Sequence, residues 1–416
     1  MNTARPPLKS LDAALAELLA QALPIPDVEE VDTFEADGRV LARDLVSELQ
    51  VPPHDNSAMD GYALRGADVA AAGTTLRVGQ RIPAGAVADQ PLASGEAARI
   101  FTGAQLPPGA DAVVMQEDCQ SLEDGQVRVN VLPRPGQNVR RAGEDVRLGT
   151  TVLPQGARLN PAALGLAASI GLDRLPVVRR PRVALFSTGD ELVMPGAVAP
   201  AQLPPGAIYN SNRFFLRALL QRLGCVVTDC GIVPDQREAT IAALREAAEG
   251  NDLILSSGGV SVGEEDHVKP AVLALGSLVL WQLAIKPGKP FAYGKLRGAQ
   301  GLAHFIGLPG NPVSSYVTFL LLVRPFLLRL QGMPAQALAP TVVTLPAHFE
   351  WTRGEKRREF LRARRNAAGG VDLHPQQGSG VLTSVAWGDG LVDNPPERRI
   401  ARGDPVQFIA FSEFMV

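Results

Sequence analysis

The chain has 416 residues, 46% of them apolar and 20% charged, with a net charge of −3 at pH 7. That length exceeds one ordinary core and predicts roughly two to four domains. The slight acidic balance excludes nucleic-acid binding as the main function, because that needs a clustered basic excess.

Ser10 to Leu23 reads as a helix capped by Ser10 and ended by Pro24 and Pro26. Asp12 and Glu17 break its apolar character, so no signal-peptide core is expected there. From Ser47 to Arg141, short apolar runs cut by Gly, Pro, Asn and Asp predict a small β-rich domain over residues 47–141. Taken alone, Asp60-Gly61 within it is a turn signal, and Thr102-Gly103 is a strand end. Val152 to Leu172 contains a helix with Asn160 as cap, Pro161 in its first turn and Gly171 as stop. Pairing of this segment with the N-terminal one would make a helical linker unit of residues 1–46 and 142–177, interrupted by the β-rich insertion. Pro176 and Arg179-Arg180-Pro181 read as a linker.

From Arg182 strands and helices alternate, which predicts an open, mostly parallel sheet covered on both faces over residues 178–330. The strands read at Val183 to Ser187, Val226 to Val233, Leu253 to Ser257, Leu278 to Ile285, Phe291 to Tyr293 and Ala303 to Leu308. A capping pair is expected from Asp235 to Glu238. The apolar run near Phe319 to Leu330 is interrupted by Arg324 and Pro325, so no membrane span is expected. After Gly332 the pattern is β again, predicting a small barrel over residues 331–416. Its basic run, Arg353 to Arg365, reads as a solvated strand edge. Cys119, Cys225 and Cys230 form no C-x-x-C pair or zinc spacing, which fits a reducing, cytoplasmic compartment.

Function is read from where the strands end. They release Thr188-Gly189-Asp190-Glu191, Pro234-Asp235, Gly258 to Asp266, Lys286-Pro287-Gly288-Lys289 and Pro309-Gly310-Asn311-Pro312. Ligands of doubly wound sheets bind outside the carboxyl ends of the strands, so these five clusters should share one rim. Four of the six lysines lie between Lys269 and Lys295, in a chain whose other basic residues are Arg. Acids, two lysines and glycine turns imply an anionic, phosphorylated ligand and a divalent cation shared between carboxylates and ligand oxygens. Neither G-x-x-x-x-G-K-[ST] nor a strand-linked G-x-G-x-x-G is present, which removes support for ordinary NTPase and dinucleotide readings.

The strings DNSAMDGYA, RIFTGAQLPPGADAVV, FSTGDEL, SSGGVSVGEEDHVK, KPGKP and GLPGNPVS, in this order, closely resemble the molybdopterin molybdenumtransferases. That family includes MoeA-type enzymes and the E domain of gephyrin, and the resemblance runs from about residue 8 to the C-terminus. It implies a multi-domain α/β plus β protein with a doubly wound MoaB/Mog-like domain. It also implies a magnesium-assisted reaction of adenylylated molybdopterin with molybdate to give molybdenum cofactor and AMP. On matching positions it implies catalytic roles for Asp60, Thr102, Glu191, Asp235, Asp266, Lys286 and Lys289. Gly258, Gly259, Ser261, Gly263, Arg140, Asp145, Pro309, Pro312 and Ser379 would bind the pterin, and Asp60, Asp266 and Glu191 the magnesium. The family further implies a homodimer with a shared site, and other proteins of cofactor synthesis as partners. No nucleic acid or membrane is expected as a partner. The alternatives are molybdopterin adenylylation, whose family lacks the Asp60 and Thr102 domain, and a non-catalytic scaffold of gephyrin type.

Overall fold

The strand Arg182–Thr188 is buried along all but its first residue and lies inside a six-stranded sheet. This computed structural model describes residues 8–259, 267–298 and 301–415. The sheet order is Val226–Val233, Arg182–Thr188, Leu253–Ser257, Gly301–Leu308, Pro290–Gly298, Gly276–Gln282. The first four strands run parallel, while Pro290–Gly298 is antiparallel to both its neighbours. Side chains alternate across a strand, so each face has its own core. Val183, Leu185 and Leu255 pack with Leu216, Leu220, Phe319 and Phe326 from the helices Asn212–Arg222 and Pro312–Leu330. Ala184, Phe186 and Ile254 pack on the other face with Leu244 and Val272 from Arg237–Ala248 and Val268–Leu275. The cap position expected at Asp235 is occupied instead by Gln236, whose side chain makes no cap bond.

Pro312–Leu330 has the length and mean hydropathy (1.5) to cross a membrane, but 83% of it is buried inside the protein. Arg324, expected as an interruption, is an internal anchor instead. Its guanidinium donates to the carbonyls of Phe414 (2.9 Å), Leu338 (2.8 Å) and Glu413 (3.1 Å), tying the C-terminal segment to the helix. Burial lowers its pKa to about 10, so it stays charged at neutral pH.

The first helix, Leu11–Leu19, is capped by Ser10, whose hydroxyl accepts from the Ala13 N–H. Its Leu11, Ala14 and Leu18 join the α/β core and no separate helical unit. The linker region is held mainly by strands: Val28–Asp32 pairs with Arg174–Val178, and Leu45–Val46 with Thr151–Leu153, beside the single helix Pro161–Ser169. Both flanks of the insertion therefore meet each other. The stretch around Pro176 and Arg179, expected as a linker, is a strand followed by a bidentate Arg179–Asp252 pair at 3.0 Å, with Asp27 at 2.9 Å. Paired charge fixes what composition alone suggested was loose.

The inserted domain is a six-stranded sheet ordered Ala112–Met115, Gly61–Leu64, Glu96–Ile100, Thr74–Ile82, Gln126–Val129, Cys119–Ser121. Gly61 serves packing: a Cβ there would lie 2.0 Å from the Val114 carbonyl oxygen. The C-terminal sheet is ordered Ile285–Lys286, Arg358–Arg365, Gly390–Asn394, Pro405–Ala410, Val343–Pro346, with Val371–Leu373 also on Arg358–Arg365. Arg358–Arg365 is thus interior, which corrects the solvated-edge expectation for that part of the basic run. Three of its four arginines are held by named partners: Arg358 binds Asp393 bidentately, Arg365 meets Asp389, and the buried Arg362 donates to the Phe360 and Gly378 carbonyls and the Ser384 hydroxyl.

Candidate active site

Four parallel strands bring their carboxyl ends to one rim, and a cavity of about 680 Å³ opens there. Of the residues expected on that rim, Glu191, Asp235, Gly258, Gly259, Pro309 and Pro312 line it. Gly258 and Gly259 have φ of +98° and +67°, a backbone that L side chains rarely adopt. A Cβ at Gly259 would lie 2.3 Å from Val268 Cγ2 and 2.9 Å from Thr188 Oγ1, so the turn presses against its neighbours. Asp266, Ser261 and Gly263 lie outside the described residues.

Asn212 was not singled out by the sequence, yet it fastens the rim. Its buried amide donates to Ser257 Oγ (2.8 Å) and to the Gly310 carbonyl (2.7 Å), joining two strand ends. The helices Asn212–Arg222 and Pro312–Leu330 both begin at the cavity wall, and their N-termini favour an anion. Asp190 accepts from the Asp235 N–H (3.3 Å), which links the first two strand-end loops. The Pro-rich segment 192–207 is closed by the pair Leu192–Val193 with Ile208–Tyr209, and Leu192, Ile208 and Tyr209 form part of the wall.

Neither Lys286 nor Lys289 lines the cavity, although Pro290, the next residue, does. Their loop docks on Pro312–Leu330 through Gly288, where a Cβ would meet Thr318 Oγ1 at 2.3 Å. Lys286 Nζ lies 3.3 Å from Glu355 Oε1 and 3.3 Å from Glu359 Oε1. Among the described residues Lys289 makes no ion pair. Ser379 contributes its carbonyl, which accepts from the Val313 N–H (2.9 Å), and its neighbour Gly380 lines the cavity. Arg362, another residue the sequence did not flag, holds this loop through the Gly378 carbonyl and the Gln377 side chain. An arginine inside a basic run gives no sign of being buried.

Asp60, Thr102, Arg140 and Asp145 form no part of that wall. The register Gly61↔Ile100 places Asp60, just before one strand, beside Thr102, just after its partner. Asp60 Oδ1 accepts from the Thr102 N–H (2.8 Å) and hydroxyl (2.7 Å). The Thr102 N–H first, then its hydroxyl, with the Arg99 charge, hold the Asp60 carboxyl below its ordinary range. Arg140, paired opposite Asn56, is exposed on the same domain, and Asp145 is exposed beyond it.

Among the described residues no three His, Cys, Asp or Glu side chains form a metal cluster. Exposed carboxylates at Asp60 and Glu191 are hard oxygen donors with room for further ligands. They fit magnesium, which is bound by one or two carboxylates plus substrate phosphates and not by an all-protein cage.

Three family models match the chain: "MoeA N-terminal region (domain I and II)" over residues 9–171, "Probable molybdopterin binding domain" over 184–329, and "MoeA C-terminal region (domain IV)" over 344–411. The chain is 46% identical over 324 residues to the molybdopterin molybdenumtransferase of Haemophilus influenzae, covering 78% of each chain. It is 37% identical to that of a Nostoc species, over 89% of this chain and 85% of the relative. The crystal structure of the molybdopterin biosynthesis moeA protein from Pyrococcus horikoshii superposes with a TM-score of 0.82 at 29% identity, covering 97% of this chain and all (100%) of that one.

Proposed function

This chain belongs to the molybdopterin molybdenumtransferase family, and from that premise we propose that it converts adenylylated molybdopterin and molybdate to molybdenum cofactor and AMP. It is an enzyme of molybdenum cofactor biosynthesis that inserts molybdenum into molybdopterin. The observation that carries the finer reading is the cavity where four parallel strand ends and two helix N-termini meet, a place suited to a phosphorylated pterin.

In this reading the Gly258-Gly259 turn lets the ligand approach the backbone closely, and Asn212 keeps the strand ends at fixed spacing. Lys289, next to the cavity-lining Pro290, brings positive charge toward the phosphate and the oxyanion, as charge develops on them. An oxygen of molybdate attacks the pterin's phosphorus, the bond from that phosphorus to the bridging oxygen breaks, and AMP leaves with that oxygen, so molybdate is joined to the pterin phosphate through oxygen. The two dithiolene sulfurs then bond to molybdenum as their thiol protons are released, the Mo–O bond to the phosphate breaks, and the phosphate keeps that oxygen, with no change of oxidation state. Asp60 and Glu191 would hold magnesium, which would supply positive charge for the phosphate and oxyanion oxygens. Asp60, fixed by Thr102 and kept anionic, accepts from a water that in turn donates to and orients the attacking oxyanion.

Because Asp60 and Thr102 form no part of their own chain's cavity wall, we assign them to the cavity of a second copy, as a homodimer would allow. The free cysteines support a cytoplasmic setting; Cys225 is inert at neutral pH, its thiol pushed by burial to about 12. The test is purified protein with adenylylated molybdopterin, molybdate and magnesium. AMP release that needs molybdate, with cofactor able to activate an apo-molybdoenzyme, is expected. Binding of the pterin without AMP release would contradict the reaction.

A further inference from the structure

We infer that Glu359, from the C-terminal sheet, is the positioning residue for Lys286, so that this sheet sets the oxyanion-facing side of a site built on another domain. The inference rests on the proposed function and on the catalytic role that the family resemblance implies for Lys286, whose loop leads to the cavity-lining Pro290. Ile285–Lys286 leaves the α/β unit and pairs in parallel with Arg358–Glu359 as an added edge strand of the C-terminal sheet. The Arg358 N–H also donates to the Ala284 carbonyl (2.9 Å). Backbone pairing places the ammonium between two carboxylates of unlike character.

Glu359 is 1% exposed, and its Oε2 accepts from Trp351 Nε1 (2.7 Å) and Asn394 Nδ2 (3.4 Å). Among the described residues its Oε1 accepts no hydrogen bond, and it lies in ion-pair contact 3.3 Å from Lys286 Nζ. A buried carboxylate held on one oxygen requires a cation at the other, so Glu359 and Lys286 fix each other. Glu355 is one-third exposed (33%) and shares its Oε1 with Arg357, so it is the exchangeable partner. An ammonium has three donors. One donates to Glu355 and the ammonium also sits in ion-pair contact with Glu359, which leaves donor capacity for a ligand oxygen, while Lys289 makes no ion pair among the described residues.

The test is AMP release by the full chain, titrated separately with molybdate and with adenylylated molybdopterin, for wild type, E359Q and E355Q. E359Q is expected to raise the KM for molybdate about ten- to a hundredfold, the usual effect of losing a residue that orients a ligand-binding group. The KM for adenylylated molybdopterin should stay within about twofold, and E355Q should move the molybdate KM less than about threefold. A Glu359 that only stabilised the fold would lower the active fraction, and hence the maximal rate, without changing either KM. An unchanged molybdate KM in E359Q, equal rises in both KM values, or a larger effect from E355Q therefore overturns the inference. If E359Q does not fold, E359D decides the matter: it keeps the charge but withdraws it by one methylene, and a rise in molybdate KM alone is again required. Wild-type turnover with an unaffected E359Q sinks this inference alone, whereas no wild-type turnover sinks the functional reading with it.

Discussion

Asp60→Ala lowers AMP release by at least about a hundredfold, the scale of removing one pre-organised group from a charged transition state. The fold survives, because Asp60 is exposed and the only described bonds of its side chain go to the equally exposed Thr102, while its backbone carbonyl still accepts from the Gln116 N–H. A melting temperature within about 2 °C of wild type is expected. The acid side of the pH profile follows from the same contacts. The Thr102 N–H and hydroxyl and the Arg99 charge depress the folded-state pKa below 3.8, so the carboxylate keeps its charge as pH falls through the ordinary Asp range. Asp60 therefore imposes no loss of activity above that range. Asp60→Asn separates charge from shape, since its amide oxygen can still accept from Thr102. It should be nearly as inactive as Asp60→Ala. Retained turnover together with a lowered melting temperature would return Asp60-Gly61 to being a turn and nothing more.

Gly288→Ala should damage stability and activity together. The residue has φ +110°, and an added Cβ would meet Thr318 Oγ1 at 2.3 Å and Ile285 Cδ1 at 3.3 Å. Backbone strain and overpacking sum to about 3 kcal/mol. Urea unfolding followed by intrinsic fluorescence should report a loss of that size in the α/β transition. AMP release should fall as well, because the displaced loop carries both lysines. Thr318→Ala should recover part of the stability in the Gly288→Ala background. Among the described residues the buried Thr318 hydroxyl has no hydrogen-bond partner, so removing it relieves the clash and forfeits no described bond. Equal stability of the single and double variants would show that backbone strain, not the clash, dominates.

The α/β sheet was legible to the residue at two strands for different reasons: Leu253–Ser257 is buried throughout and opens as an apolar run, whereas the largely exposed edge strand Val226–Val233 lies between Gly224 and Pro234. Gly61–Leu64 was hidden because Asp60-Gly61 signals a turn, while the close approach of Val114 that demands glycine belongs to tertiary structure. Arg324, Arg179 and Arg362 were misjudged for one reason. A guanidinium reads as solvated charge until its carbonyl or carboxylate partners, 14 to 90 residues away for Arg324 and 73 to 152 for Arg179, are brought to it. In the candidate site the strand-end residues were legible from topology, since parallel strands deliver their carboxyl ends together. The fixed surroundings were not: Asn212 resembles an ordinary helix start, and Glu359 looks like surface charge within a basic run.

The central proposal is that Asp60 of one copy acts on a ligand held in the cavity of another. Co-expression of Asp60→Ala with Lys289→Ala, each inactive alone, tests it most directly. Random pairing gives half heterodimers, each with one intact composite site, so about a quarter of wild-type AMP release should return. If Asp60 and Lys289 serve the same chain's site, the mixture will stay at the level of the two inactive variants, and the shared-site account is contradicted.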